Sequence, residues 1–216
     1  ETGARNWLGD DPYIRRPVNI QQYPVIDVDA EEIRREKAAR KIWQETVPLN
    51  GTPAETYLYS RAITSWPDIA VRYHAKSNSL IVGSIAPSGN ITAIQRIFLT
   101  PDGRAITDED GSKRKRSFGP IKNGAVHLPG TTEALLLAEG PETGLSAWGA
   151  TEIETWVGLG AVGNIKLDNV PLDRPIILCR DDDGRNAPSL KNLKRRITQW
   201  KREGRTVLSA TPHEFS

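Results

Sequence analysis

The sequence predicts an α/β protein in which a helical and antiparallel region precedes a mostly parallel sheet with flanking helices. Two observations predict this class. After residue 130, apolar runs of strand length alternate with helical segments, which is typical of parallel sheets covered on both faces. Before that residue, strand-like runs follow one another directly and are joined by turn residues, as in an antiparallel meander. The 216 residues have room for one large or two small domains.

Two helices are predicted in the N-terminal half of the chain. The first begins at about Asp29, where Glu31 and Glu32 are early acids followed by apolar residues near helical spacing. The second begins at 52–55, where threonine, proline and glutamate form the pattern of a capping box with proline at the first helical position. Residues 1–28 show no sustained periodicity, so we expect an arm or linker there.

The predicted strands are apolar or alternating runs bounded by turn residues such as Pro87 and Gly89. They lie at 71–73, 80–85, 91–99, 134–138, 155–157, 175–179 and 206–209. A further helix is predicted at about 189–203, because its apolar residues fall on one face and Gly204 is suited to end it.

The composition excludes several classes of protein. Apolar residues make up 38% of the chain, and no apolar run approaches the roughly 20 residues that span a bilayer. The single cysteine, Cys179, cannot form an internal disulfide, and with three histidines it cannot build a usual structural zinc site. We therefore expect a cytoplasmic protein without a membrane role. The absence of methionine and the start at Glu1 indicate a fragment of a longer protein.

Carboxylates follow two of the predicted parallel strands. Glu139 comes directly after the run at 134–138, and Asp181 and Asp183 follow the run at 175–179. Because the carboxyl ends of parallel strands border one crevice, we expect these acids to converge, although each acid alone is also typical of a solvated turn. Carboxylate oxygens suit Mg²⁺ or Mn²⁺, and phosphoryl or nucleotidyl transfer is the chemistry that these ions serve.

This acidic pattern resembles the Toprim domain shared by bacterial primases, topoisomerases and certain nucleases. The resemblance covers about 133–209, and the run at 135–143 is especially similar to primase-type Toprim proteins of phages and plasmids. It implies that Glu139 is the general acid or base of nucleotidyl transfer. It also implies that Asp181 and Asp183, together with Glu139, hold a divalent metal.

Two departures from the family pattern affect what the resemblance implies. Thr143 stands where replicative primases usually carry an aspartate, so the number of metal ions stays open. No zinc-binding module is present, so template selection is expected outside this fragment. Gly140 and Gly184 are expected in loops near the site.

The segment before the acidic sheet is rich in basic residues. The stretches 89–96 and 115–128 resemble the basic subdomain that precedes Toprim in primases. The candidate ligands for nucleic acid or nucleotide are Arg96, Lys113, Arg114, Lys115, Arg116 and Lys122. For 113–116 a solvated hairpin tip of mixed charge is the alternative, because acids at 108–110 precede it. The basic run at 194–196 is a competing surface.

The resemblance implies a primase-like nucleotidyltransferase that holds a single-stranded DNA template and joins nucleoside triphosphates, with Mg²⁺ or Mn²⁺ as cofactor. A helicase or a zinc-binding module outside this fragment is a further expected partner. The predicted parts are an arm at 1–28, a basic helical and antiparallel subdomain at 29–130 and a Toprim catalytic domain at 131–216. Two alternatives stay open: phosphodiester cleavage by a Toprim nuclease or topoisomerase, and a catalytically inactive module that binds nucleic acid.

One further motif matches a cofactor-binding pattern but is not expected to bind that cofactor. Gly158, Gly160 and Gly163 match the dinucleotide-binding fingerprint after a predicted strand. That interpretation requires a helix to start at the loop, but 164–170 leaves only about two turns before Pro171, too short for the usual crossover. We therefore expect no nicotinamide cofactor, and instead a flexible glycine loop that borders the acidic crevice.

Overall fold

The structure is a computed structural model that describes residues 28–85, 89–121, 124–160, 162–179 and 188–210. The helices are α1 (Val28–Gln44), α2 (Pro53–Tyr59), α3 (Pro141–Thr151) and α4 (Pro188–Arg202). The strands are β1 (Val71–His74), β2 (Ser79–Ile85), β3 (Ile91–Phe98), β4 (Lys115–Phe118), β5 (Val126–Leu128), β6 (Thr131–Ala138), β7 (Ile153–Val157), β8 (Ile176–Cys179) and β9 (Val207–Ala210). An antiparallel sheet, a mixed sheet and helices together confirm the α/β class.

The first sheet is the predicted antiparallel meander. Its order is β1-β2-β3-β4, and each strand pairs antiparallel with the next. The helix α1 covers one face of this sheet, where Ala39 packs with Ile81 and Ile94. The outer side of α1 is polar, and Arg35 and Arg40 each form an ion pair with a glutamate one turn earlier. The predicted helix at Asp29 is thus confirmed as the outer cover of the meander.

The start of α2 corrects one prediction. A capping box would place the Thr52 hydroxyl on the backbone N–H of Glu55. In the structure that hydroxyl instead donates to the Leu49 carbonyl oxygen at 2.5 Å. The Glu55 carboxylate accepts the backbone N–H of Gly51 at 2.7 Å, one residue before the position that the box requires. Pro53 does begin the helix, because the first helical N–H needs no partner within the helix.

The second sheet is mixed, with the order β5-β7-β6-β8-β9. The pairs β6–β7, β6–β8 and β8–β9 are parallel, and β5 pairs antiparallel with β7. The strand β5 lies before residue 130, in the segment assigned to the meander, yet it forms the edge of the second sheet. Three residues carry too little pattern to show which sheet a strand joins.

The helices of the second sheet lie on its two faces. On one face, α3 packs so closely that a Cβ atom on Gly144 would lie 2.3 Å from Cγ2 of Val157, so glycine is required there. On the other face, α4 buries Trp200 against the sheet. Gly204 ends α4 at φ +89°, as predicted. Within the described ranges, no helix has the length and apolar character needed to cross a membrane.

A single apolar layer lies between the two sheets. It combines side chains of both sheets with those of α2 and α3, including Leu58, Leu80, Leu128, Leu145 and Val157, all of them almost completely buried. Backbone hydrogen bonds between Ile85 and Ala125, at 2.7 and 3.3 Å, also join the end of β2 to the residue before β5. The meander and the mixed sheet therefore share one core.

Because the core is shared, a cavity-forming substitution on the meander side is expected to destabilise both sheets. We expect Leu58→Ala to lower the free energy of unfolding by about 2–5 kcal/mol, because it leaves a cavity in the layer. Hydrogen exchange of the variant should show reduced protection in β6 and β7 as well as in the meander. The matched control is Leu172→Ala, which removes the same atoms from a side chain that is 55% exposed. Loss of protection confined to α1, α2 and the strands β1 to β4 would contradict a shared core.

Candidate functional site

The carboxyl ends of β6 and β8 lie side by side. Ala138, the last residue of β6, is paired in parallel register with Cys179, the last residue of β8. Neighbouring strands are about 4.8 Å apart, so the segments that leave these two strands begin next to each other. Glu139 is the first residue after β6. The register thus brings together the two points of the chain from which the predicted acids follow.

Several of the predicted site residues lie outside the described residues. These are Lys122, Asp181, Asp183 and Gly184. Their roles stay predictions, and Glu139 is the predicted metal ligand that the structure describes. Within the described ranges, no group of three histidine, cysteine, aspartate or glutamate side chains is placed to hold a metal ion.

A glycine-containing loop after β7 borders the end of β6. The backbone N–H of Gly158 donates to the Ala138 carbonyl oxygen at 2.9 Å, and that of Gly160 donates to the Glu139 carbonyl oxygen at 3.0 Å. Gly160 has φ +115°, a conformation that a side chain disfavours. Among the described residues that follow, the only helical segment before β8 is the short 3₁₀ turn Val162–Asn164. The loop therefore lies beside Glu139, and no dinucleotide-binding helix follows it in the part described.

A partly buried carboxylate at the start of α3 joins the two sheets. Glu142 accepts hydrogen bonds from the Tyr57 hydroxyl at 2.7 Å and from Nζ of Lys113 at 2.8 Å. Nζ of Lys115 lies 3.7 Å from its second oxygen. The Glu142 side chain is only 17% exposed. Its partners come from α2 and from the hairpin that forms β4. We call these four residues the Glu142 cluster.

The charges of the Glu142 cluster are fixed by its surroundings. Burial alone would raise the pKa of Glu142, but the charge of Lys115 and the hydrogen bonds from Lys113 and Tyr57 outweigh burial and lower the pKa to about 2. Burial and the adjacent Glu142 charge raise the pKa of the Tyr57 phenol. At neutral pH the phenol is therefore neutral and the carboxylate is ionised. Two lysines against one carboxylate leave the cluster with one net positive charge.

The structure divides the basic run at 113–116 instead of keeping it as one patch. The hairpin tip lies at 108–112, where the backbone N–H of residue 108 donates to the carbonyl of residue 112, so 113–116 is not the tip. Side chains alternate along the strand. Lys115 therefore faces Glu142, whereas Arg114 and Arg116 lie 2.7 and 3.5 Å from the Asp108 carboxylate. Of the four cations, Lys113 and Lys115 therefore contact α3, through Glu142.

Arg96 lies apart from the Glu142 cluster. Its guanidinium is 4.9 Å from the ring centre of Phe118 and 5.7 Å from that of Phe98, on the face of the meander that α1 covers. Burial lowers the pKa of Arg96. In register it stands opposite Arg116 and next to Ile97, the partner of Lys115. Adjacent positions in a strand point to opposite faces, so Arg96 and Lys115 do not share a groove.

Sequence reasoning missed the pairing of Tyr57 with Glu142. The two residues are 85 positions apart, and each also fits an ordinary place in its own helix. The only local signal is that Glu142 is an acid in the first turn of α3, where it interacts favourably with the helix dipole. Gly140, predicted to lie in a loop near the site, is the N-cap residue of α3.

Residues 33–128 match a family described as a domain of unknown function, DUF7146. The matched segment runs from α1 to β5 and includes Tyr57, Lys113 and Lys115. It ends before Glu139 and Glu142, so it covers only the meander side of the Glu142 cluster. No curated protein matches the chain.

The low pKa of Glu142 predicts how stability depends on pH. A carboxylate with a folded-state pKa of about 2 and an ordinary value of 4.5 contributes stability that is complete above about pH 4.5 and is lost as the pH falls toward 2. A shift of this size corresponds to about 3 kcal/mol. We expect Glu142→Gln to be less stable than the parent at pH 7, with a difference that narrows toward pH 2.

Urea unfolding between pH 7 and pH 2 checks this expectation. The control is Glu133→Gln, which neutralises an exposed carboxylate on β6 and should follow the parent at every pH. A constant difference between the parent and Glu142→Gln across this range would show that Glu142 does not titrate as its contacts require.

Proposed function

We propose that the chain is the catalytic core of a primase-like nucleotidyltransferase with a Toprim fold, which makes short primers on single-stranded DNA. One observation carries the proposal. Because Ala138 and Cys179 are paired in parallel register, β6 and β8 end side by side at the same edge of the sheet. In the sequence, Glu139 follows β6, and Asp181 and Asp183 follow β8. In the Toprim family that the acidic pattern resembles, these positions hold the general acid or base and the metal ligands.

The architecture around this edge supports a Toprim fold. The helix α3 connects β6 to β7, and α4 lies between β8 and β9, so the parallel strands are joined by helices on both faces. Their carboxyl ends therefore meet at one edge, where ligands of open α/β sheets usually bind.

The proposed reaction forms a bond between the 3′ oxygen of the growing strand and the α-phosphorus of a nucleoside triphosphate. The bond from that phosphorus to the bridging oxygen breaks, and pyrophosphate leaves. Glu139 would take the proton of the 3′ hydroxyl as general base. Carboxylate oxygens are a donor set that fits Mg²⁺ or Mn²⁺, which would be held by Glu139, Asp181 and Asp183 and would offset phosphate charge.

The Glu142 cluster supports the binding of phosphate near this edge. Glu142 is three residues after Glu139, so Lys113 and Lys115 reach the same end of α3. Their surplus positive charge is half-buried, where it is screened less than a charge in open solvent. We propose that these two lysines, and not Arg96, contact the triphosphate.

A polymerisation assay tests the proposed function. The parent chain should extend labelled nucleotides on single-stranded DNA with Mg²⁺ or Mn²⁺ present. Glu139→Gln should lower the rate by about 100-fold or more, the usual contribution of a general acid or base. Glu133→Gln is the matched control, because it removes a carboxylate from the opposite end of the same strand and should keep full activity.

A plasmid-nicking assay run in parallel separates the alternatives. Nicking that depends on Glu139, without polymerisation, would replace the primase proposal with a Toprim nuclease. Equal polymerisation by Glu139→Gln and the parent would remove the catalytic role of Glu139. Neither activity in the parent with either metal would leave the proposal without support and favour a module that only binds nucleic acid.

The metal assignment predicts a change in stability. Carboxylates gathered at one edge repel one another, so a divalent cation that binds the folded chain should raise the melting temperature. We expect millimolar Mg²⁺ or Mn²⁺ to raise it in the parent but not in Asp181→Asn/Asp183→Asn. Differential scanning fluorimetry measures both. An equal rise in the double variant would place the bound cation elsewhere.

A further inference from the structure

The helix α4 carries cations that no carboxylate in the described part of the chain neutralises. Its sequence contains no acidic residue between Pro188 and Arg202. Its basic residues are Lys191, Lys194, Arg195, Arg196, Lys201 and Arg202. Within the described ranges, none of these six lies within ion-pair distance of a carboxylate. Among the described residues, their positive charge is therefore not balanced by an ion pair.

Other basic clusters contain their own counter-charges. In α1, Glu31 pairs with two arginines and Glu36 pairs with a third. In the hairpin, Asp108 pairs with Arg114 and Arg116, and Glu142 pairs with the two lysines of its cluster. Cations that are already paired gain less from a phosphate, because the existing ion pair must first be broken or shared. Within the described residues, the cations of α4 have no such pair to break.

Five of the six cations lie in a stripe along the solvent side of α4, in two groups at its ends. They are Lys191, Lys194, Arg195, Lys201 and Arg202, and all five are exposed. The other four follow Lys191 by three, four, ten and eleven residues, which places all five on one side of an α-helix over a length of about 16 Å. Arg196 leaves this stripe, because its guanidinium donates to the Ile165 carbonyl oxygen at 3.1 Å. We call the five residues the α4 stripe.

The opposite face of α4 restricts what the stripe can bind. Leu193 and Ile197 pack against the mixed sheet, and Trp200 is only 2% exposed. The apolar face is therefore used by the fold and is not available for insertion into a lipid surface. A protein partner would need apolar or aromatic anchors, but the side chain between the two ends of the stripe is Thr198. Repeated cations without such anchors fit a phosphate backbone.

The path of α4 relates the stripe to the edge that carries Glu139. The helix lies between the carboxyl end of β8 and the amino end of β9, two parallel neighbours. It therefore runs from the side of the sheet where Glu139 lies toward the opposite side. Lys191 is at the end nearer to that edge, and Arg202 is at the far end.

We propose that the α4 stripe binds the phosphate backbone of single-stranded DNA without reading its sequence. The choice of single-stranded DNA rests on the proposed function, whereas binding by the stripe itself requires no chemistry at Glu139. It also moves the main DNA contact from the hairpin at 113–116 to the other face of the mixed sheet. The physical reason is that each cation that neutralises a phosphate releases counterions condensed on the DNA, and in the described residues the α4 cations need break no ion pair to do so.

Fluorescence anisotropy with a labelled single-stranded oligonucleotide across a salt series tests the stripe. The test variant is Lys194→Gln/Arg195→Gln/Lys201→Gln/Arg202→Gln. The matched control is Arg34→Gln/Arg35→Gln/Lys76→Gln/Arg104→Gln, which removes the same net charge from cations that are already paired. Both sets are on exposed side chains, and circular dichroism melting confirms that each variant is folded.

We expect the parent to bind with an affinity that falls steeply with salt, by about 0.7 log units of affinity per log unit of salt for each phosphate contacted. The stripe variant should bind at least 10-fold more weakly at about 0.1 M salt, and its slope should be shallower by about 0.7 for each phosphate that it no longer neutralises. The control variant should stay within about 3-fold of the parent.

Three results would overturn the proposal. The first is a stripe variant that binds like the parent, and the second is a control variant that loses as much affinity as the stripe variant. The third is a parent chain that binds vesicles of anionic lipid but not the oligonucleotide. The anisotropy assay contains no nucleoside triphosphate and no divalent metal, so failure of the proposed catalysis and failure of the stripe are seen separately.

Discussion

The apolar layer between the two sheets fixes the position of the charged side chains in the Glu142 cluster. Burying each leucine of this layer contributes about 1.5–3 kcal/mol, so neither sheet can slide without exposing several of them. With the sheets held in this way, the hairpin that forms β4 lies against the start of α3. Lys113 and Tyr57 then have one carboxylate within reach, that of Glu142. The Glu142 cluster is therefore a consequence of how the core packs.

The two basic surfaces, the Glu142 cluster and the α4 stripe, differ in what lies beside their positive charges. Around Glu142, removing a partner from a side chain that is shielded from water is costly, so the cluster is a fixed part of the fold. Along α4, the exposed cations have no carboxylate pair among the described residues, so a phosphate backbone can approach them without breaking an ion pair there. A net charge of only +2 for the whole chain conceals this difference, because it does not show which cations lie beside a carboxylate.

The sequence predicts those features that depend on local pattern. The strands β6 and β8 are nearly continuous apolar runs, and α4 has one apolar face and a terminal glycine, so their positions were predictable to within a few residues. The split of 113–116 over two faces was not, because alternation assigns faces only after the register of β4 is known. The contact of Tyr57 with Glu142 was also hidden, since it depends on how two sheets pack. For the site, chain order predicted which strand ends carry acids, and the register of β6 with β8 brings those ends together.

Sharing one carboxylate between two lysines also limits how related chains can diverge. A chain that lost the acid at position 142 would keep two like charges, on Lys113 and Lys115, in a place that water reaches poorly. A chain that lost Lys113 would instead lose one of the contacts that lower the pKa of Glu142. Either single step is costly, although the residues lie 29 positions apart. We therefore expect these positions to change together among related chains, although they lie on both sides of the shared core.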